Sequence, residues 1–101
     1  MKLLTEEIKN KLPKLDANEN KKSENTPIIA KFFCPWNSWA WYATEFDGID
    51  IFFGWVHGDF PELSYFSLNE LQSVKGPLGL GIERDKFFGK HTLAEVKEKE
   101  L

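Results

Sequence analysis

The chain opens with a helical pattern of apolar residues, followed by a polar segment. Leu4, Ile8 and Leu12 recur at four-residue spacing, and a proline follows the last of them. This spacing is typical of an amphipathic helix, and proline ends such a helix. We therefore predict an N-terminal helix within residues 1–13. Residues 14–27 read KLDANENKKSENTP, and this polar composition predicts a mobile connector.

The centre of the chain has the pattern of β-strands. Four segments rich in aromatic and β-branched residues are each bounded by Pro, Gly, Asn or Asp, and they span residues 28–33, 38–46, 49–57 and 62–66. Such runs, separated by short turns, are typical of neighbouring antiparallel strands. The sequence therefore predicts a four-stranded antiparallel sheet in a meander.

Two capping boxes predict helices after the sheet. Ser67 is followed three residues later by Glu70, and Thr92 is followed in the same way by Glu95. A Ser or Thr with Glu at this spacing satisfies backbone donors at a helix start. We thus expect an α+β fold, with short helices at the N-terminus, after strand four and at the C-terminus. The chain is predicted to be a single domain, residues 1–101, with the sheet core and C-terminal helices in residues 28–101.

The turns predict which side chains share a face of the sheet. Asp47-Gly48 as a two-residue turn pairs Tyr42 with Phe53, and four-residue loops at 34–37 and 58–61 set the other two hairpins. One face is then almost wholly apolar and is the expected core. It carries Ile28, Ala30, Phe32, Trp39, Trp41, Ala43, Phe52, Gly54, Val56, Leu63 and Tyr65. Gly54 is expected to lie between the rings of Trp41 and Tyr65, which would cover its bare backbone.

The opposite face is unusual because it mixes polar groups with aromatic rings. A half-exposed sheet normally presents polar side chains to water, and two explanations stay open here. A short helix covers the face, which is the commoner arrangement, or the face is an exposed binding patch. The second explanation makes six residues candidates for binding a partner protein, or a second copy of the chain in a homodimer. They are Lys31, Tyr42, Phe53, Trp55, His57 and Phe66.

Composition and charge narrow the class of partner. The net charge is −3, and residues 31–85 hold eight carboxylates against three basic side chains. Nucleic-acid binding draws on clustered Lys and Arg, so direct binding is disfavoured. No segment approaches the ~20 apolar residues of a membrane span, so we expect no membrane partner. A single cysteine, Cys34, forms no intrachain disulfide, which favours a cytoplasmic location.

Two groups of polar residues could carry chemistry. His57, Asp59 and Glu62 bracket one loop, and they support the alternative of a metal-assisted hydrolase or nuclease. Their spacing matches no known ligand signature, and a cross-strand ion pair between His57 and Glu62 is the structural interpretation. Carboxylates also crowd the Asp47-Gly48 turn, where a solvated acidic turn competes with a cation site. We expect no cofactor, no metal and no catalytic residue.

Several segments along nearly the whole chain are together distinctive. They are Leu3-Leu4-Thr5 with Leu12-Pro13, KFF at 31–33, WAWYATE at 39–45, FFGWV at 52–56, PELSYFSLNEL at 61–71 and VKGPLGLGIERD at 74–85. In these segments the chain resembles a family of small bacterial proteins classed as a domain of unknown function, number 2958. The resemblance implies a bacterial origin, often on plasmids or other mobile elements, and brings no established activity. We therefore expect a non-catalytic protein-binding or accessory protein whose biochemical role is unknown.

Overall fold

Five strands form one antiparallel sheet in the computed structural model, which describes residues 2–99. In chain order they are β1 (Ala30–Phe33), β2 (Ala40–Phe46), β3 (Ile51–His57), β4 (Glu62–Ser67) and β5 (Glu83–Arg84). The spatial order is β4-β3-β2-β1-β5, so β1 to β4 form the predicted meander. The predicted number of four strands is wrong. β5 pairs with β1 after a long connection, and two residues are too few to show a strand periodicity.

Within residues 2–99, three α-helices complete the fold, as predicted: α1 (Glu6–Lys11), α2 (Leu68–Ser73) and α3 (Leu93–Lys99). The predicted capping boxes begin the last two. The Ser67 hydroxyl accepts a hydrogen bond from the Glu70 N–H at 3.2 Å. At α3 the bonds are reciprocal, since Thr92 Oγ1 accepts from the Glu95 N–H and Glu95 Oε1 accepts from the Thr92 N–H. Local sequence therefore determines where these helices begin.

The β2–β3 hairpin is two residues out of the predicted register. Tyr42 pairs with Trp55, because the turn is longer than a two-residue Asp-Gly turn. Asp47 Oδ1 accepts hydrogen bonds from the N–H groups of Ile49, Asp50 and Ile51, and it holds this wider turn. A shift of two residues leaves each side chain on its predicted face.

A β-bulge between Ala43 and Glu45 changes the pairing further along the same hairpin. Beyond it, Phe46 pairs with Phe52, and the two rings lie 4.5 Å apart between centroids. The bulge also explains Gly54, where any Cβ would collide with the Tyr42 carbonyl. The expectation that rings of Trp41 and Tyr65 flank Gly54 is wrong, because its neighbours across the strands are Ala43 and Ser64.

The β3–β4 hairpin is one residue out of the predicted register, which reverses the faces of β4. Val56 pairs with Glu62, so the predicted pairing of His57 with Glu62 is wrong. Phe66 moves to the core side, where its ring stacks on Phe52 at 5.1 Å. Leu63 and Tyr65, predicted in the core, move to the opposite face and are exposed.

The two faces of the sheet carry separate apolar clusters. We call the first the core face, where Phe32 and Phe52 pack in one cluster with Leu71 of α2 and with the leucines that flank α1, namely Leu3, Leu4 and Leu12. Both of these rings are fully buried. We call the second the α3 face, where Leu93 and Val96 of α3 pack on Tyr42 with Ile28 and Ala40. A helix therefore covers part of the face that the sequence marked as unusual.

The polar connector is tied to the α3 face by a buried carboxylate. Glu45, only 4% exposed, accepts hydrogen bonds from the N–H groups of Asp16 and Asn18 at 2.8 and 3.0 Å. The Asn18 side-chain amide also donates to the Thr44 carbonyl. The connector consequently lies over the end of β2 and faces Leu63 and Tyr65 of β4 across a depression. Its mobility stays a prediction.

Candidate functional site

The six predicted binding residues do not form one surface. Tyr42 is only 2% exposed, because α3 packs on it and the Phe88 ring lies 5.8 Å away. Lys31 Nζ lies 5.5 Å from the centre of each of these rings and 3.8 Å from Asp85 Oδ2. Tyr42 is thus a core residue, and Lys31 covers it.

Three of the six line a common cavity of about 510 Å³, namely Lys31, Tyr42 and His57. The cavity lies where β1 and β2 meet, beside Asn37 and Trp39. His57 Nδ1 is buried and has no hydrogen-bond partner within the described residues 2–99. Of the rings that line this cavity, that of Tyr42 is buried, while those of Phe33, Trp39 and His57 are partly exposed.

The other three predicted residues lie elsewhere. Trp55 is half-buried against α3, with Lys97 Nζ 5.5 Å from its ring centre. Phe53 lies next to it on the α3 face, towards the connector. Phe66 lies on the core face, because of the one-residue shift in β4.

Leu63 and Tyr65 are the exposed apolar residues that sequence reasoning assigned to the core. They are 41% and 58% exposed, and Tyr65 packs its ring 5.0 Å from that of Phe53. With Phe53 they line a depression of about 300 Å³ that we call the edge groove. Asp16 and Glu19 of the connector lie across from them. One signal in the sequence could have indicated this surface, because the last strand of a meander has a free edge.

The backbone of β4 presents polar groups along the outer edge of the sheet, next to Leu63 and Tyr65. In an antiparallel pair, the N–H and C=O groups of successive residues alternate between the neighbouring strand and the free side. The Leu68 N–H donates to the Asp50 carbonyl at 2.8 Å, which sets this alternation. When this alternation is followed back from Leu68, Leu63 and Tyr65 direct their N–H and C=O groups to the free side of β4. β3 is the only strand paired with β4 among residues 2–99.

The features that commonly protect an edge strand are scarce in β4. Native edges are often blunted by Lys, by Pro or by a bulge. The strand reads ELSYFS, with one charge at its first residue, and its pairing with β3 is unbroken. This edge is therefore open to pairing with another extended segment.

The surroundings of the edge groove are acidic. Asp16 and Glu19 line it, and Asp59 and Glu62 are exposed at the start of β4, while Lys21 is the one basic residue in its lining. The Glu45 carboxylate at its base is already occupied by the connector N–H groups. A ligand with positive charge would be attracted to this surface.

The structure does not assemble the catalytic group of the hydrolase or nuclease alternative. Glu62 lies across from Val56, while His57 pairs with Ala40 of β2. Among residues 2–99, no cluster of three or more His, Cys, Asp or Glu side chains could hold a metal ion. Nothing in this arrangement supports the hydrolase or nuclease alternative.

The acidic hairpin turn has structural partners for its carboxylates. Three backbone N–H groups donate to Asp47. These hydrogen bonds lower the pKa of its carboxyl below the ordinary value, and the bond from Asp50 has the largest effect. Asp50 accepts from the Ser67 hydroxyl at 2.6 Å and from the Asn69 N–H at 2.8 Å. These contacts account for the acidic residues as turn and cap acceptors.

Comparison with known proteins agrees with the segments noted in the sequence. The family described as protein of unknown function (DUF2958) matches residues 3–99. The chain belongs to this family. No curated protein and no solved structure matches this DUF2958 chain. Among the residues described, no helix combines the length and apolar character that a membrane crossing requires.

Proposed function

We propose that this DUF2958 protein is a non-catalytic protein-binding accessory protein that acts through the edge groove. The observation that carries the proposal is an open edge strand whose Leu63 and Tyr65 are exposed beside Phe53. Exposed apolar side chains next to unpaired backbone groups are typical of surfaces that bind other proteins.

The proposed surface retains one of the residues expected from the sequence, Phe53, and Trp55 lies next to it, half-buried against α3. Tyr42 is left out because it is buried, and Phe66 is left out because it lies on the other face. Lys31 and His57 lie at the separate cavity, and a binding role for them stays a prediction.

We also propose a cytoplasmic, bacterial setting with a link to mobile elements. Cys34 is buried as a free thiol, which fits a reducing compartment. The mobile-element link rests on the family resemblance alone. Direct nucleic-acid binding stays disfavoured, because the exposed edge is surrounded by carboxylates.

Capture from bacterial lysate tests this function. Tagged full-length protein is compared with a double variant, Leu63→Ser with Tyr65→Ser, and each captured protein is identified and tested again after purification. Phe87→Ser is the matched control, because Phe87 is 93% exposed and lies in the loop after β5. The proposal predicts direct binding by wild type and the control, with at least about tenfold loss in the double variant. Equal binding by all three proteins would contradict it.

A further inference from the structure

We infer that the outer edge of β4, next to the edge groove, binds an extended segment of a partner protein that carries Lys or Arg and adds to the sheet as a strand. This inference rests on the proposed function and specifies the chemistry of the partner. Three independent features support it: the direction of the β4 backbone groups, the position of the exposed side chains, and the sign of the surrounding charge.

The backbone supplies the main contacts. Leu63 and Tyr65 each direct an N–H and a C=O to the free side of β4, so four groups are available to an added strand. The Ser64 hydroxyl donates to the Tyr65 carbonyl at 3.2 Å, in keeping with a carbonyl at the open edge. Main-chain hydrogen bonds of this kind provide affinity in strand addition.

The side chains supply a floor for alternate residues of the added strand. Leu63 and Tyr65 share the α3 face with Phe53, and their positions are two residues apart. The side chains of an added strand also alternate between the two faces. Every second side chain of the ligand would therefore lie next to Leu63 and Tyr65, on the side of β4 away from the connector.

The charge selects a basic segment over a second copy of this chain. Asp16 and Glu19 line the groove together with Lys21, and Asp59 and Glu62 lie exposed at the start of β4. In two copies joined antiparallel through β4, neither strand would offer a Lys or Arg to these carboxylates, because β4 has none. A Lys or Arg on the ligand would instead be attracted to them.

Synthetic peptides of about eight residues test the inference, since this is an ordinary strand length. The first alternates Val and Lys, the second alternates Val and Glu, and the third is the Val/Lys peptide with N-methyl groups on alternate backbone nitrogens. Binding to the full chain is followed by NMR at low salt. We expect the Val/Lys peptide to shift the amide signals of Leu63 and Tyr65. The Val/Glu peptide and the N-methylated peptide that lacks the bonding N–H groups should bind at least about tenfold more weakly.

A pair of variants separates the contribution of the Leu63 N–H to peptide binding from that of the Leu63 side chain. Leu63→Ala and Leu63→Pro both remove the leucine, but only proline removes the N–H on the free side, which an edge strand tolerates. Leu63→Pro should abolish peptide binding, whereas Leu63→Ala should reduce it by a few-fold. Circular dichroism checks that both variants keep their fold, and the N-methylated peptide provides the same test on unchanged protein.

Other outcomes would overturn the inference. Signal shifts confined to another surface, equal binding of the Val/Glu peptide, or no peptide binding would each do so. A dimer of the free protein that Leu63→Pro dissociates would assign the edge to a second copy. If no peptide binds while lysate capture still depends on Leu63 and Tyr65, the protein-binding function stands and strand addition fails.

Discussion

Phe53 and Tyr65 face each other across β3 and β4, with ring centroids 5.0 Å apart and planes inclined at 57°. Phe53 is half-buried, whereas Tyr65 is more than half exposed. The pair therefore joins the covered part of the α3 face to the open edge. This relationship depends on the register of β4, and the first prediction tests that register.

Removing Phe66 should destabilise the protein more than removing Tyr65. Phe66 stacks on the buried Phe52, so Phe66→Ala is expected to lower the free energy of unfolding by about 2–4 kcal/mol. Tyr65→Ala loses an exposed cross-strand contact and should cost about 1 kcal/mol or less. Chemical denaturation measures both. The opposite order would support the register expected from the turn lengths.

Gly54→Ala should be strongly destabilising. A Cβ at this position would collide with the Tyr42 carbonyl beside the bulge, and backbone atoms there have no room to move. The expected loss is about 3 kcal/mol, at the upper end of overpacking effects. Gly81→Ala is the control, since its nearest atom would be the Val74 carbonyl oxygen at 3.8 Å. Similar melting temperatures for the two variants would contradict the close approach.

Glu45→Gln should loosen the connector. The buried carboxylate accepts hydrogen bonds from two connector N–H groups, and an amide replaces one acceptor oxygen with a donor. We expect a loss of about 1–3 kcal/mol. Amide exchange at Asp16 and Asn18 should become faster. Glu62→Gln on the exposed edge is the control, and equal exchange rates in the two variants would show that Glu45 does not hold the connector.

Asp47 should contribute to stability in a pH-dependent way. Hydrogen bonds from Asp50 and its neighbours lower the pKa of this carboxyl below its ordinary value of 3.8 in the folded state. Its contribution is therefore complete above that ordinary value, and it is lost as the pH falls through the lowered folded pKa. The difference in melting temperature between wild type and Asp47→Asn should shrink over this acidic range. A difference that is constant with pH would exclude this origin, and Asp59→Asn in the exposed loop provides the comparison.

The elements of the fold were largely predictable, because helix starts and strand segments depend on local sequence. The caps at Ser67 and Thr92 and the four meander strands are examples. The pairing of β4 was not predictable, because ELSYFS places apolar residues on both of its faces and either register buries some of them. β5 and the contact of the connector with Glu45 depend on residues distant in sequence, for which the pattern carries no signal.

The candidate site was predicted in part for the same reason. Phe53 and Trp55 were assigned to the correct face, because a shift of two residues preserves faces. Leu63 and Tyr65 were missed, and Phe66 was wrongly placed with Phe53 and Trp55, because a shift of one residue reverses faces. The cover that α3 gives to Tyr42 is one of the two arrangements that the sequence left open, and it depends on the long connection before that helix.

Amide hydrogen exchange in the partner-bound protein tests the central claim most directly. The probe is the Val/Lys peptide at saturation, or the purified protein recovered by lysate capture. We predict that the N–H groups of Leu63 and Tyr65, which face the free side of β4, gain strong protection on binding. Phe87, in its exposed loop, should not change. Unchanged exchange at Leu63 and Tyr65 in a saturated complex would contradict the account.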